Sequence, residues 1–384
     1  MKNKLVTWKD RILFTPGPLT TSPAVKTAML RDLGTRDEEF MTVIREVQKH
    51  LLDIADVDDK DYAVVLMQGC GSMGVEAVLG CAVPREGGRL LVVENGAYGR
   101  RMADMARVAG IPLVTVDYPE NTPASVADVA KALKEHPDVT HVAVVHCETT
   151  SGLFNPIDEI GDVVAKAKRE YIIDAMSSFG ASTIKMKKWG IDWLVSSANK
   201  CIEGVPGFSF ALIRRDALKR TKGNSRSLCL DLYAQDENMR RIGQFRFTPP
   251  VQVILAFHRA LQELKAEGGV KARQDRYQEN CRVLREGMAE LGIREFLAPK
   301  HHGWIITSFH YPDCPNFSFD RFYDVLKADG FLIYPGKVGK ADLFRVGNIG
   351  HITPADVRGL LGAMRRALEA TGSAPVPRKK RKKA

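Results

Sequence analysis

The sequence predicts an α/β protein: a large domain built on a doubly wound, mainly parallel sheet, and a smaller C-terminal α+β domain. Three observations predict this fold class. Short apolar strands alternate with helical patterns from residue 63 to residue 195, and such alternation requires right-handed crossovers between parallel strands. A length of 384 residues is enough for two domains. The sequence Thr248-Pro249-Pro250 then interrupts the chain before a long helical pattern.

We expect four segments along the chain. Residues 1–22 form an N-terminal arm, in which Pro16, Gly17 and Pro18 exclude regular structure. The large domain is expected at 23–250 and the small domain at 251–370. Residues 371–384 are expected to form a basic, disordered tail.

Apolar runs and helical periods place the individual elements. In the large domain, strands are expected at 63–68, 90–94, 112–116, 141–145, 171–174, 191–197 and 208–213, and helices at 23 onward, 38–55, 75–80, 100–109, 123–135 and 157–169. In the small domain, strands are expected at 304–309, 331–334 and 343–347, and helices at 251–267, 270–292, 318–329 and 354–370.

An acid and an amine follow two of these strands. Asp174 ends the run Tyr171 to Ile173, and Lys200 follows the polar turn after the strand at 191–197. Ligands bind at the carboxyl edge of such sheets. A lysine that carries pyridoxal 5′-phosphate and a carboxylate that keeps its ring nitrogen protonated require this arrangement. Burial beside a tight turn would lower the pKa of Lys200 and free its amine.

A glycine-rich turn follows the first strand of the large domain. Residues 69–74 join that strand to a helix N-terminus, where free N–H groups and the positive helix end favour phosphate. The same residues match G-x-G-x-x-G, and Glu94 ends the next strand. An NAD-dependent dehydrogenase is therefore an open alternative, although it leaves Asp174 and Lys200 without a function.

Three further polar or aromatic positions are candidates for the site: two follow strands, and Arg345 lies in the middle of the strand at 343–347. Tyr98 could stack on a planar cofactor or simply pack against a loop. Thr149 belongs to a hydroxyl-rich loop after the strand at 141–145 and could bond a cofactor oxygen or cap the next helix. Arg345 alternates with apolar neighbours and either faces water or receives an anion in a cleft.

Composition excludes several other classes of protein. No apolar run reaches the roughly 20 residues of a membrane helix, and no signal peptide is evident, so we expect a cytoplasmic protein. Seven scattered cysteines without a C-x-x-C pair indicate neither a disulfide framework nor a zinc site. The net charge of +10 owes six charges to residues 378–383, which we expect to be solvated rather than bound to nucleic acid.

Taken together, these residues resemble the class V aminotransferase branch of the fold-type I pyridoxal phosphate enzymes. The resemblance covers residues 11–367 and rests on nine motifs. These are LFTPGPLTTS, RDEEF, NGAYGRR, VHCETTSG, DAMSSFGA, SSANKCIEGVPGF, QFRFTPP, YPGK and FRVGNIG.

The resemblance implies a role for each candidate residue. Lys200 would bind the cofactor covalently and Asp174 would pair with its ring nitrogen. Gly71, Ser72 and Met73 would hold its phosphate, Tyr98 would stack on its ring, Thr149 would bond its hydroxyl, and Ser197 would line the same pocket. Thr248 would reach the phosphate of the partner subunit in a homodimer with shared active sites. Arg345, with Thr15 and Gly17 of the arm, would bind the substrate.

The implied activity is transamination of 2-aminoethylphosphonate with pyruvate, which gives phosphonoacetaldehyde and L-alanine. Transfer from serine or alanine to glyoxylate is the alternative within the branch. The segment from Gly69 to Met73 departs from the usual pattern, which has serine, then threonine and an aromatic residue. Ser72 retains a hydroxyl for phosphate, whereas the smaller side chains leave substrate selectivity open.

Overall fold

The computed structural model describes residues 10–336 and 342–372. The predicted basic cluster at 378–383 lies outside these residues. The strands are β1 (Ile12–Leu13), β2 (Tyr62–Gln68), β3 (Leu90–Glu94), β4 (Leu113–Asp117), β5 (His141–Val145), β6 (Cys147–Glu148), β7 (Leu153–Phe154), β8 (Glu170–Asp174), β9 (Trp193–Ser197), β10 (Phe208–Arg214), β11 (Ile306–His310), β12 (Phe331–Leu332), β13 (Tyr334–Pro335) and β14 (Leu343–Gly347).

The helices are α1 (Pro23–Thr27), α2 (Glu38–Ala55), α3 (Gly71–Ala82), α4 (Ala97–Val108), α5 (Val126–Glu135), α6 (Ile157–Lys166), α7 (Arg215–Arg220), α8 (Leu232–Ile242), α9 (Val251–Glu267), α10 (Gly269–Glu290), α11 (Phe319–Ala328) and α12 (Pro354–Ala370). Two short 3₁₀ turns lie at Ala28–Leu30 and Pro299–His301. None of the helices in the described part of the chain is long and apolar enough to cross a membrane.

A seven-stranded sheet with the order β2-β10-β9-β8-β5-β3-β4 forms the centre of the molecule. Only β10 is antiparallel to its neighbours, so the other six strands run in one direction. Helices α2, α5, α6 and α9 pack on one face of the sheet and α3 and α4 on the other. The predicted doubly wound, mainly parallel α/β fold is confirmed.

Local sequence explains why individual helices begin where they do. The Asp37 carboxylate accepts a hydrogen bond from the backbone N–H of Glu39 and so caps α2. Phe40, Ile44, Val47 and Leu51 then repeat at helical spacing and are buried against the sheet. The predicted helix at 38–55 is thereby reproduced.

A second, three-stranded sheet with the order β11-β14-β13 belongs to a separate core with α10, α11 and α12. The N-terminal arm joins this part of the molecule, because β1 pairs in parallel with β12 and Phe14 lies in the same core. The arm therefore reaches the small C-terminal region before the chain enters the large sheet.

The structure differs from the sequence-based prediction in several places, and the short strands β1, β6 and β7 had not been expected. The single strand expected at 331–334 is two short strands, β12 and β13, that belong to different sheets. Helices α7 and α8 had not been predicted. Helix α9 packs on the core of the large sheet, whereas the small domain had been expected to begin at 251. We propose that the boundary lies at Gly268, between α9 and α10.

The topology overturns the dinucleotide-binding alternative. In that motif, the strand before the glycines and the strand that ends in the acid are neighbours in the sheet. Here β2 pairs within the sheet only with β10, and β3 lies between β5 and β4. The match to G-x-G-x-x-G at 69–74 therefore does not belong to a dinucleotide-binding βαβ unit.

Candidate active site

A cavity of about 300 Å³ opens at the carboxyl edge of the large sheet. This volume is at the lower end of the range for small-molecule sites. Six of the residues predicted for the site line this cavity, because the strands of the large sheet that precede them run in the same direction, and a seventh lies beside it. Those that line the cavity are Gly71, Ser72, Tyr98, Asp174, Ser197 and Lys200, and Gly17 contacts the Lys200 side chain.

Asp174 lies at the C-terminal end of the buried strand β8 and is 4% exposed. Its Oδ1 accepts a hydrogen bond of 2.9 Å from the backbone N–H of Met176. The pKa of Asp174 is raised to about 6, mainly by burial and to a smaller extent by the nearby Glu148 carboxylate, while the Met176 N–H and Lys200 oppose the shift. A carboxylate so placed is stabilised by any cationic group that enters the cavity.

Lys200 lies in the turn that follows β9, and its amine donates a 2.6 Å hydrogen bond to the Pro16 carbonyl. Burial lowers its pKa to about 8, whereas Asp174 acts in the opposite direction. The uncharged amine is the nucleophilic form. The cavity therefore brings a carboxylate together with an amine that loses its proton near neutral pH.

We expect the rate at which the cofactor-free protein captures an aldehyde at Lys200 to rise with pH with a midpoint at about 8. The lowered pKa means that half of the amine is already uncharged there, whereas a solvated lysine would titrate near 10.4. Stopped-flow absorbance with pyridoxal phosphate would give the profile. A midpoint close to that of free lysine would contradict the burial of this amine.

The N-terminal arm is pressed against Lys200. Gly17 has a φ of +115°, and a Cβ at this position would lie 2.8 Å from Lys200 Cδ and 2.9 Å from the Asn199 carbonyl oxygen. The Thr15 hydroxyl donates to the Pro18 carbonyl and so closes the arm's own turn. A glycine is required here both by the backbone conformation and by the lack of space.

Replacing Gly17 with alanine should lower activity on the order of 10- to 100-fold, because the collision moves the arm and the Lys200 side chain together. Steady-state rates, normalised to bound cofactor, would measure the loss. Gly87→Ala is the matched control: Gly87 also has a positive φ, of +68°, but nothing lies within 4 Å of its Cβ position. Equal activity losses in the two variants would show that contact with Lys200 is not the cause.

The N-terminus of α3 forms one wall of the cavity. Cys70 precedes the helix, and no side chain caps it among the described residues. An alanine at Gly71 would place its Cβ 2.6 Å from Met176 Sδ, so any side chain at this position would displace Met176 from the cavity wall. Arg101 Nη1 donates a 3.2 Å hydrogen bond to Ser72 Oγ. Backbone N–H groups, a hydroxyl and a guanidinium together suit a phosphate.

Tyr98 is held in the cavity wall by a buried carboxylate. The Glu148 carboxylate accepts hydrogen bonds from the backbone N–H groups of Tyr98 and Gly99 at 3.3 Å and from the Thr150 hydroxyl at 2.6 Å. A Cβ at Gly96 would lie 2.2 Å from Glu148 Cδ, so this residue must be glycine. The negative charge at the start of α4 is favoured by the helix dipole. Glu148 thereby fixes the helix that carries Tyr98.

Thr149 and Arg345 are buried and are not among the residues that line the cavity. Thr149 Oγ1 is 2.6 Å from Ser177 Oγ. Arg345 is 3% exposed and donates 3.2 Å hydrogen bonds to the carbonyls of Pro335 and Thr149. Of the two positions predicted for Arg345, the one facing water is therefore wrong. Burial lowers its pKa, and its charge acts on both Lys200 and Tyr98.

The remaining predicted site residues are not in the cavity wall. Met73 is 48% exposed and its side chain lies over Gly69. Thr248 is exposed, and its carbonyl accepts a 3.2 Å hydrogen bond from Gln68 Nε2. Thr15 is buried within the arm. The roles predicted for these three residues stay predictions.

Sequence reasoning missed several residues of the cavity. Its apolar side includes Val75, Met102, Met105 and Met176, all of which read as ordinary core positions. Arg101 belongs to the quoted NGAYGRR motif, but the motif alone gave no reason to select it. Glu148 could have been found from its position in a hydroxyl-rich loop after a buried strand, where a carboxylate requires partners.

Residues 22–324 match the family described as Aminotransferase class-V. The chain belongs to this family, whose members depend on pyridoxal phosphate. A 2-aminoethylphosphonate–pyruvate transaminase from Bacillus cereus is 46% identical over 354 residues, which are 92% of this chain and 96% of the relative. One from Klebsiella pneumoniae is 47% identical over 365 residues, 94% of this chain and 99% of the relative.

Solved structures show the same fold. Pyridoxamine–pyruvate aminotransferase from Mesorhizobium loti has a TM-score of 0.86 at 25% identity and aligns over 95% of this chain and 93% of its own. Ureidoglycine–glyoxylate aminotransferase from Bacillus subtilis has a TM-score of 0.88 at 21% identity, over 97% of this chain and 96% of its own.

Proposed function

We propose that this protein transfers the amino group of 2-aminoethylphosphonate to pyruvate and so forms phosphonoacetaldehyde and L-alanine. The observation that carries the proposal is the pairing of Lys200 and Asp174 within one cavity, in a chain 46% identical to the Bacillus cereus transaminase over almost its full length. The half-buried amine and the buried acid are the two groups that this chemistry requires.

The residues of the cavity fit pyridoxal phosphate. Lys200 would hold it covalently, and Asp174 would face its ring nitrogen. Gly71 and Ser72, with the Met73 N–H, would receive its phosphate at the uncapped start of α3. Tyr98 would support the ring, while Ser197 and Thr149 would complete the polar surround. When bound, the cofactor supplies a carbonyl carbon for the amine and an electron-accepting ring.

Lys200 performs the proton transfers in this proposal. Its Nζ would accept a proton from the carbon that bears the substrate nitrogen and would return it later in the same half-reaction. A pKa near 8 suits both directions at neutral pH. The Pro16 carbonyl accepts a hydrogen bond from the same amine and so orients it. Asp174 contributes a fixed negative charge that stabilises a protonated ring nitrogen.

Arg345 is proposed to bind the anionic end of both substrates. Its buried guanidinium already lies close enough for its charge to act on Lys200, and the planar donor fork suits phosphonate and carboxylate alike. Thr15 and Gly17 would line the same end through the arm. One anion site would thereby serve the amino donor and the 2-oxo acid in turn.

A homodimer belongs to the same proposal. Thr248 and Phe247 are exposed at the surface, although Gln68 holds their carbonyls beside the end of β2. A hydroxyl presented in this way is free to reach the cofactor phosphate of a partner subunit. We also propose a cytoplasmic location, for which the seven unpaired cysteines are the support.

A panel of amino donors tests the substrate assignment. With pyruvate as acceptor, 2-aminoethylphosphonate should react at least about 10²-fold faster in kcat/KM than serine or alanine with glyoxylate. Comparable rates across the panel would contradict the assignment and favour a broad glyoxylate-type enzyme.

Arg345→Gln provides the corresponding variant. It should lower kcat/KM for 2-aminoethylphosphonate about 10²-fold, since a buried charge-assisted contact to the phosphonate is lost. Arg366→Gln is the matched control, because the exposed Arg366 side chain pairs with Asp329 and neither residue lines the cavity. Equal kcat/KM in Arg345→Gln and the parent protein would remove Arg345 from the substrate site.

A further inference from the structure

A buried cluster of charged and polar side chains lies beneath the Lys200 turn and is not part of the cavity. Glu203, three residues after Lys200, is 2% exposed and has a φ of +67°. Its Oε1 accepts hydrogen bonds of 2.6 Å from the Tyr277 hydroxyl and 2.7 Å from Arg276 Nη2. A non-glycine residue keeps this backbone conformation only when its surroundings enforce it.

The Arg273 side chain binds the backbone of the same turn. This arginine is 1% exposed, and its Nη1 donates a 2.7 Å hydrogen bond to the carbonyl of Cys201, the residue after Lys200. Its Nε donates to Glu267 Oε2 at 2.6 Å, so two arginines face two carboxylates. The backbone segment that directly follows Lys200 is thus hydrogen-bonded to a side chain of α10.

The opposite side of the cluster holds the segment that follows β14. Tyr277 Oη accepts a 3.1 Å hydrogen bond from the Gly350 N–H. Arg276 Nη1 donates to the carbonyls of Gly350 and Ile352 at 2.7 and 3.0 Å. Arg345 lies on β14. Arg276 and Tyr277 therefore bind both the turn that follows Lys200 and the segment that follows the strand of Arg345.

Stability alone is a weak explanation for this arrangement. Desolvation of buried ion pairs offsets much of their attraction, and apolar side chains of similar volume often serve as well. Relative position is the better explanation, because a displacement of 1 Å between reacting groups can cost about 10²-fold in rate.

We propose that Glu203, Arg273, Arg276 and Tyr277 form a positioning clamp that sets the Lys200 amine relative to the Arg345 guanidinium. The clamp rests on the proposed function, in which Lys200 moves the proton while Arg345 holds the anion. Its members are positioning residues, since none of them lines the cavity. Through the clamp, α10 holds the two halves of the site at a fixed separation.

Tyr277→Phe is the sharpest test, because it removes one hydroxyl and leaves the ring and the ion pairs in place. We expect kcat per bound cofactor to fall on the order of 10- to 100-fold, with the KM for 2-aminoethylphosphonate changed by less than about twofold. The pH midpoint of the visible absorption band of the bound cofactor should also shift, because Lys200 is displaced from Asp174. A merely stabilising hydroxyl would move neither kcat nor this midpoint.

Two comparisons on the same helix complete the test. Arg282→Gln removes exposed ion pairs to Glu279 and Glu286 and should leave kcat and the band midpoint unchanged. Arg273→Lys should retain more activity than Arg273→Gln, because it keeps the charge but only part of the donor set. If Tyr277→Phe does not fold, Arg276→Lys carries the same expectation for kcat and for the midpoint.

A lowered melting temperature in Tyr277→Phe, with kcat and the band midpoint unchanged, would overturn the clamp. The band midpoint does not depend on the identity of the amino donor. If the parent protein turned over no amino donor, the proposed function would therefore fail, while the midpoints of the variants would still decide whether the clamp positions Lys200.

Discussion

Lys200→Ala should lower kcat by more than about 10⁴-fold, the largest loss expected of any single substitution in this chain. The substitution removes both the attachment point of the cofactor and the group that moves the proton. Steady-state assays with 2-aminoethylphosphonate and pyruvate would measure the loss. Borohydride reduction followed by peptide mapping should label Lys200 in the parent protein and leave the corresponding peptide of the variant unlabelled.

The stability of Lys200→Ala should change little although its activity is lost. Removal of the Lys200 amine loses its hydrogen bond to the Pro16 carbonyl but also relieves the desolvation that lowers its pKa, so the fold should not be destabilised by more than about 1 kcal/mol. A small primary amine added to the assay should restore part of the activity. Lys219→Ala, in the exposed face of α7, is the control and should behave like the parent protein. Full activity in Lys200→Ala would refute the proposed chemistry.

Asp174→Asn should lower kcat on the order of 10²- to 10³-fold. Asparagine has nearly the same shape and can still accept the hydrogen bond from the Met176 N–H, but it has no charge with which to stabilise a protonated ring nitrogen. Rapid-reaction absorbance at the first half-reaction would show whether the loss lies in proton removal. Unchanged proton removal would exclude an electrostatic role for Asp174.

Asp192→Asn separates this effect from the general cost of altering a buried aspartate. Asp192 is also buried, and burial raises its pKa as well. It lies at the opposite end of the strands, where it accepts from the Tyr171 N–H and pairs with Arg214. We expect this control to lower the melting temperature without changing kcat. Similar losses of kcat in both variants would point to a folding defect.

The sequence was sufficient to locate Asp174 and Lys200, because each follows a short apolar run with an unambiguous end. The carboxyl ends of parallel strands lie at the same edge of a sheet, and this does not depend on the rest of the fold. The antiparallel direction of β10 was not predictable, since a buried strand has the same apolar pattern in either direction. The same limit applies to β12 and β13, which read as one strand because their sheet assignment depends on distant partners.

Other features of the site depend on contacts that no local pattern encodes. The Pro16 carbonyl accepts a hydrogen bond from Lys200, although most of the sequence of the large domain lies between the two residues. The Glu148 carboxylate finds its partners at the start of a helix that precedes it by about fifty residues. Sequence periodicity describes which face of an element is buried, but not which distant backbone group will lie opposite it.

The N-terminal arm has a consequence for the order of events during synthesis. Its residues are made first, yet Ile12 N–H bonds to the carbonyl of Gly330 and Gly347 N–H bonds to the carbonyl of Phe14. Contacts of such long sequence separation form late, because they close almost the whole chain into a loop. The lysine and its acid can therefore assemble on the nascent chain, whereas the bonds that hold the arm to β14 and to the residue before β12 can form only once those segments have left the ribosome.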